Sequence, residues 1–157
     1  YAYGSACAHV TVDPDTGQVE LIDLTLVEDA GRIVNPLTLN GQAEGGIVQG
    51  LGGAFLEHIV YDRDAQLVSA SLGEYLVPAA PDFPNFRTIM VEEKPSPISP
   101  LGAKGAGEGG VLPMGGLMAN AVASALSSLG VEPRELPLSP LNIWQLIQAA
   151  GSGSGNS

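Results

Sequence analysis

Ala6-Cys-Ala-His-Val-Thr-Val-Asp-Pro-Asp-Thr-Gly-Gln-Val-Glu-Leu-Ile-Asp-Leu-Thr-Leu-Val-Glu28 is the stretch that decides the fold class. Residues 6–12 read as a strand, with Val10 and Val12 on one face and His9 and Thr11 on the other. Residues 19–28, rich in Val, Leu, Ile and Thr, read as a second strand. Between them, Asp13-Pro-Asp-Thr-Gly17 has turn chemistry: Pro14 presets φ, Asp13 caps locally and Gly17 takes positive φ. The two strands therefore pair as a β-hairpin.

Downstream, Asp29-Ala-Gly-Arg-Ile-Val-Asn-Pro36 leaves the sheet. From residue 37 to about 61 the period changes. Leu39, Ala43, Ile47, Leu51, Ala54, Phe55 and Ile59 recur at helical spacing. Six glycines interrupt this helix: Gly41, Gly45, Gly46, Gly50, Gly52 and Gly53. Each is worse than alanine by about 1 kcal/mol, so the pattern implies close approach by another backbone or a ligand. Tight helix–sheet packing is the plainer explanation for some of them.

Residues 62–65 form a turn, and 67–71 and 87–92 read as further strands. Residues 75–84, with three prolines, form an extended surface or cleft-lining segment. Pro95, Pro97 and Pro100 carry the chain, stiff and non-helical, to a glycine-rich loop. An Ala-rich helix over 114–129 follows, with Pro113 at its start and Gly130 as its stop. Ser139 caps a last helix running to about residue 150. The expected fold is α+β: a β-hairpin and mixed sheet packed with a glycine-rich helix and an Ala-rich helix. Residues 1–150 make one domain, and 151–157 a flexible tail outside it.

The 157 residues suffice for one real core. Hydrophobic content of 45% with 15% charged residues excludes a disordered polymer. A net charge of −11 argues against nucleic acid and anionic membranes as partners. No apolar run reaches the ~18 to 20 residues of a membrane span, and no signal peptide is visible. A single cysteine, Cys7, excludes an internal disulfide and a cysteine-ligated cluster, and reads as a small core residue. His9 and His58 lack metal-ligand spacing, so no metal ligands are assigned. Trp144 reads as core packing of the last helix. The chain begins with Tyr1 rather than Met, as expected of a piece of a longer polypeptide or a processing product.

The loop Gly102-Ala-Lys-Gly-Ala-Gly-Glu-Gly-Gly110 holds one base, Lys104, and one acid, Glu108. Glycines let its backbone press against a ligand, and a following helix makes its N–H groups an anion site. The loop fails the P-loop pattern, because Lys104 precedes the final glycines and no Lys-Ser/Thr pair closes it. A dinucleotide fingerprint fails too, because prolines break the preceding strand. Glu108 reads either as a helix-start charge or as a general base left unshielded by its glycines. On composition alone the helix-start charge leads. Gln42, a glutamine among glycines, is a candidate ligand-binding amide or a solvent-facing residue.

Three segments in order resemble one family. Glu28-Asp-Ala-Gly-Arg-Ile-Val-Asn-Pro36, then Gly41-Gln-Ala-Glu-Gly-Gly-Ile-Val-Gln-Gly-Leu-Gly52, then Lys104-Gly-Ala-Gly-Glu-Gly-Gly110 are similar to the xanthine oxidase family of molybdenum hydroxylases. The Gly-Glu-Gly-Gly form is closer to bacterial carbon-monoxide-dehydrogenase-like and aldehyde-oxidase-like large subunits than to animal xanthine dehydrogenase, where prolines usually follow the glutamate. The resemblance covers about residues 1–150. It implies the C-terminal domain of a molybdopterin-binding large subunit that oxidises an aldehyde, an N-heterocycle or CO with water. It also implies that Glu108 is the active-site base, taking a proton from a molybdenum-bound hydroxyl. Gln42 would hydrogen-bond the pyranopterin, and Lys104, Gly105, Ala106 and Gly107 would line the cofactor with backbone groups.

The cofactor implied is molybdopterin, as the cytosine dinucleotide. Its electrons would pass to 2Fe-2S clusters and FAD on partner subunits or domains. The partners implied are the remainder of the large subunit, an FAD-binding medium subunit and a 2Fe-2S small subunit, in a cytoplasmic dimer of heterotrimers. The family's other cofactor loops lie in the part of the large subunit that precedes this domain. The cysteine-bearing loop that holds copper in true carbon monoxide dehydrogenases is not in this chain, and Cys7 does not match it. The chain alone is thus expected to be inactive. The alternative is a non-catalytic domain whose glycine-rich loops pack or bind a partner.

Overall fold

A computed structural model describes residues 1–83 and 86–153 of the chain. Strand β1, Tyr3–Val12, and strand β2, Val19–Asp29, pair antiparallel. Asp13 closes the hairpin: its carboxylate accepts the Asp15 N–H at 2.9 Å and the Thr16 hydroxyl at 2.8 Å. Gly17 sits at φ 73°, and the turn lies so close to Pro140 and Trp144 that a Cβ there would collide with backbone. The register shifts between His9 and Val10, a bulge that the alternation in the sequence did not reveal.

Helix α1, Pro36–Phe55, then carries the chain across, and strand β3, Phe86–Val91, adds parallel to β2. A parallel partner requires such a crossover. The sheet is mixed, in the order β1-β2-β3. Helix α2, Met114–Ala125, ends in a 3-10 turn, Ser127–Leu129, and Gly130 stops it at φ 67°. Helix α3 is Pro140–Gly153, and Ser139 Oγ accepts the Asn142 N–H at its start. The architecture is α+β, with α2 packed on β1 and against α1.

One core fills the space between the sheet and the helices. It joins Leu24 and Leu26 of β2 with Ala43, Ile47 and Leu51 of α1 and Met114, Met118 and Val122 of α2. Burying each large apolar side chain stabilises the fold by about 1.5–3 kcal/mol. Asn35 caps α1: its side chain accepts the N–H groups of Leu37 and Thr38, and Pro36 follows where a missing N–H does no harm.

Several expectations are corrected. Helix α1 ends at Phe55, not near residue 61. The N–H groups of Leu56 and Glu57 both turn back to Gly52 O, and Asp62 gathers the N–H groups of Asp64 and Gln66 into a loop. Ile59 merely continues the spacing on an exposed segment. Residues 67–71 form no strand; only a single bridge, Tyr61 to Leu67, remains.

Cys7 is exposed, since Ala6, Ala8 and Val10 take the core side of β1. Trp144 is 39% exposed, and its neighbour Ile143 fills the core instead. Helix α3 continues to Gly153, so residues 151–153 belong to it; the rest of the expected tail, and the expected segment's Pro84, lie outside the described residues.

The glycines of α1 divide. Gly46 and Gly50 meet Gly110 and Met114, so the close partner is the loop and helix α2 rather than the sheet. Gly41, Gly45 and Gly53 face open space within this chain.

Candidate functional site

The motif at the end of β2 and the glycine loop are joined by backbone. Arg32 N–H donates to Gly102 O at 3.0 Å, and Lys104 N–H donates to Ala30 O at 2.9 Å. Helix α1 then approaches from the other side. A Cβ at Gly110 would overlap Ala43 O, so loop and helix meet backbone to backbone. Gln42, on the first turns of α1, donates from Nε2 to Gly107 O at 2.8 Å. All the sequence-predicted residues, Gln42, Lys104, Gly105, Ala106, Gly107 and Glu108, thus lie on or against one loop.

That loop separates two clefts and has Gly107 on both. One, of about 420 Å³, is lined by Gln42, Lys104, Ala106 and Gly107, together with Arg32 and Asn35 at the start of α1. The other, of about 580 Å³, is lined by Glu108, Gly109, Glu28, Tyr3 and Leu112 among others. Gln42 and Glu108 are therefore brought to opposite sides of the loop, not into one pocket.

Lys104 is held by its side chain. Its Nζ donates to Asp29 Oδ1 at 3.0 Å and lies 4.2 Å from the centre of the Tyr3 ring. Both side chains of the ion pair are buried, at 6% and 4% exposure. Burial alone would raise the Asp29 carboxyl. The Gly31 N–H, the Lys104 ammonium and the Lys94 N–H outweigh it and hold Asp29 below its usual value. The Lys104 amide and ammonium are thus both spent inside the chain.

Beyond Lys104 the loop is open. Among the described residues, the N–H groups of Gly105, Ala106, Gly107 and Glu108 donate to no other group. A row of exposed N–H donors is a place for an acceptor-rich ligand. The Glu108 carbonyl accepts from Val111 and Leu112, a turn that leads to α2. Its carboxyl is exposed and makes no hydrogen bond or ion pair among the described residues.

Two further residues of the site escaped the sequence reading. Asp29 ties the loop through Lys104. Glu28, 3% exposed, has both carboxyl oxygens buried without a partner, and burial raises its pKa. Glu28 follows Leu24 and Leu26 on the core face of β2, and a carboxylate in that phase was the available signal. No group of His, Cys, Asp or Glu among the described residues is placed to hold a metal ion. No helix among them is long and apolar enough to cross a membrane.

A βαβ scaffold that offers bare loop amides and a glutamine amide beside a cleft defines a binding module for a polar organic cofactor. The family described as "Molybdopterin cofactor-binding domain" matches residues 1–84. A curated relative, the 6-hydroxypseudooxynicotine dehydrogenase complex subunit gamma of Paenarthrobacter nicotinovorans, is 38% identical over 148 residues, covering 94% of this chain and 18% of that one. Quinoline 2-oxidoreductase from Pseudomonas putida 86 superposes with a TM-score of 0.89 at 37% identity, over 94% of this chain and 19% of its own. Carbon monoxide dehydrogenase from Oligotropha carboxidovorans gives 0.91 at 27% identity, over 98% and 19%. The chain belongs to the molybdopterin-binding domains of the large subunits of xanthine-oxidase-family molybdenum hydroxylases. It spans about a fifth of the length of these relatives.

The residues present fit that cofactor. A pterin edge carries ring nitrogens and a carbonyl oxygen, which need donors and an acceptor. The amides of Gly105, Ala106 and Gly107 would supply donors, and the Gln42 side chain, whose Nε2 donates to Gly107 O, would supply its carbonyl oxygen as an acceptor. A Cβ at Gly105 or Gly107 would meet nothing, so both face open space.

Proposed function

We propose that this chain supplies the proton-accepting carboxylate and one wall of the cofactor site of a molybdenum hydroxylase, which oxidises an aldehyde, an N-heterocycle or CO with water. The observation that carries the reading is the loop itself. Gln42 and Ala106 line one side, Gly105 and the unpaired Glu108 carboxyl line the cleft on the other, and Gly107 lies on both.

When bound, the cofactor supplies a two-electron acceptor and a Lewis-acidic metal. Oxidative hydroxylation with water releases two protons and two electrons. One proton leaves the oxygen that becomes bonded to the substrate carbon, and Glu108 takes it on a carboxylate oxygen. Gly107 and Gly109 on either side leave that carboxylate unshielded. Gln42 and the amides of Gly105, Ala106 and Gly107 hold the pterin, with Lys104 fixing the loop through Asp29. The bound form is the molybdopterin cytosine dinucleotide. In the complete enzyme, 2Fe-2S clusters and FAD carried by small and medium subunits would supply the onward electron acceptors, in a cytoplasmic dimer of heterotrimers that includes the remainder of the large subunit.

The test is Glu108→Gln in the complete enzyme. Loss of at least about 10²-fold in kcat, with molybdenum content near wild type, is the expected result for removal of a general base. Substantial retained turnover would overturn the assignment.

A further inference from the structure

The cleft that holds Glu108 has a second carboxyl in its wall, and the proposed proton transfer does not use it. Glu28 lies on β2 opposite Gly4 of β1 and Met90 of β3. It is 3% exposed, and neither carboxyl oxygen has a hydrogen-bond partner. Its carboxyl packs directly behind the residue that follows Glu108: a Cβ at Gly109 would overlap Glu28 Oε1, Oε2 and Cδ. A side chain at position 109 would have to displace this carboxyl, so the Glu108 turn rests against it.

We infer that Glu28 is a positioning residue for Glu108, its carboxyl group setting from behind Gly109 where the Glu108 turn stands in the cleft. The inference rests on the reading of Glu108 as the proton acceptor. An ionised carboxylate with two unpaired oxygens does not stay in a dry site; it binds a proton instead. Burial pushes the Glu28 carboxyl up, in the same direction. The groups around it do not reverse this. The side chains of Tyr1, Tyr3 and Glu108 line the same cleft and none is a cation, and the Tyr1 α-amino group gives neither Glu28 oxygen a partner. On the neighbouring strand position, Lys104 is already paired with Asp29. The loop and α1 meet through Gly110, Ala43 and Gly46, which carry no charge. A neutral Glu28 puts no charge behind Gly109. Ionisation of Glu28 puts a negative charge without a partner into that buried contact, pressing the turn outward.

The test uses the complete enzyme with Glu28→Gln and Glu28→Ala. Glu28→Gln keeps the shape and neutrality, so kcat at neutral pH stays within about threefold of wild type, and the alkaline fall in kcat expected of wild type is absent. Glu28→Ala removes the support, and kcat falls roughly ten- to a hundredfold with KM and molybdenum content little changed. Infrared difference spectra give a readout independent of turnover and of cofactor loading. The C=O band of a protonated carboxylic acid, present at neutral pH in wild type, is lost in Glu28→Gln. Two results would each overturn the inference: no such band lost, or Glu28→Ala with wild-type kcat and pH profile. Retained turnover in Glu108→Gln would instead defeat the base assignment and leave the infrared result standing.

Discussion

Glu28 and Asp29 stand side by side on β2 and respond to pH in opposite directions. Burial raises the Glu28 carboxyl from its ordinary 4.5. Its contribution to stability is complete below that ordinary value and is lost as pH rises through the higher folded value. Asp29 is depressed from 3.8, because the Gly31 and Lys94 N–H groups and the Lys104 ammonium together outweigh its burial. Its contribution is present above 3.8 and is lost as pH falls through the lower folded value. Denaturant midpoints measured against pH separate the two. Glu28→Gln flattens the curve on the alkaline side, and Asp29→Asn flattens the acid limb. Lys104→Met leaves Asp29 buried without its cation, so it lowers the midpoint at neutral pH. The double change with Asp29→Asn loses less than the two single changes summed.

At the scale of the element, α1 sets the site, because its first turns bring Gln42 to Gly107. That helix has an unusual glycine content, so its start matters more than usual. The Asn35 side chain caps it, accepting from Leu37 N–H at 3.0 Å and Thr38 N–H at 3.3 Å. Asn35→Ala is expected to destabilise the chain by about 1 kcal/mol, read from a denaturant titration. Cofactor content of the complete enzyme falls with it, because the same turn lines the Gln42 cleft. Helix α2 is held differently. It has no side-chain cap, and its first residue, Met114, is fully buried against α1 at Gly50. Its position follows from packing rather than from local chemistry.

At the scale of the whole molecule, this chain leaves much apolar surface open. Leu37, Leu72, Ile98, Leu112 and Leu141 are each more than half exposed, on several sides of the fold. Relatives five times longer have other residues to lay on such surface. The 157-residue chain alone is therefore expected to bind a hydrophobic dye and to self-associate as concentration rises, by fluorescence and light scattering. The complete subunit at equal molarity is expected to do neither.

What could be read from the sequence was whatever local chemistry dictates. The hairpin followed from Asp13-Pro-Asp-Thr-Gly17 between two alternating strands. The caps and stops of the helices followed from Ser139 and Gly130, and the three glycine-bearing motifs gave the family. What misled was spacing without context: Ile59 kept the period of α1 after the helix had ended, and residues 67–71 had strand composition without a strand to pair with. Cys7 and Trp144 were placed inside because of their residue type, whereas the phase of β1 and the face of α3 put both outside. The sequence by itself determined the α+β class, the family and the loop that carries Glu108, because turn, cap and glycine chemistry act over a few residues. Only the tertiary structure decided that Gln42 grips Gly107, that Lys104 is tied to Asp29, and that Glu28 is sealed behind Gly109. Those contacts join residues 65, 75 and 81 positions apart, and only packing of the sheet and α1 brings them together.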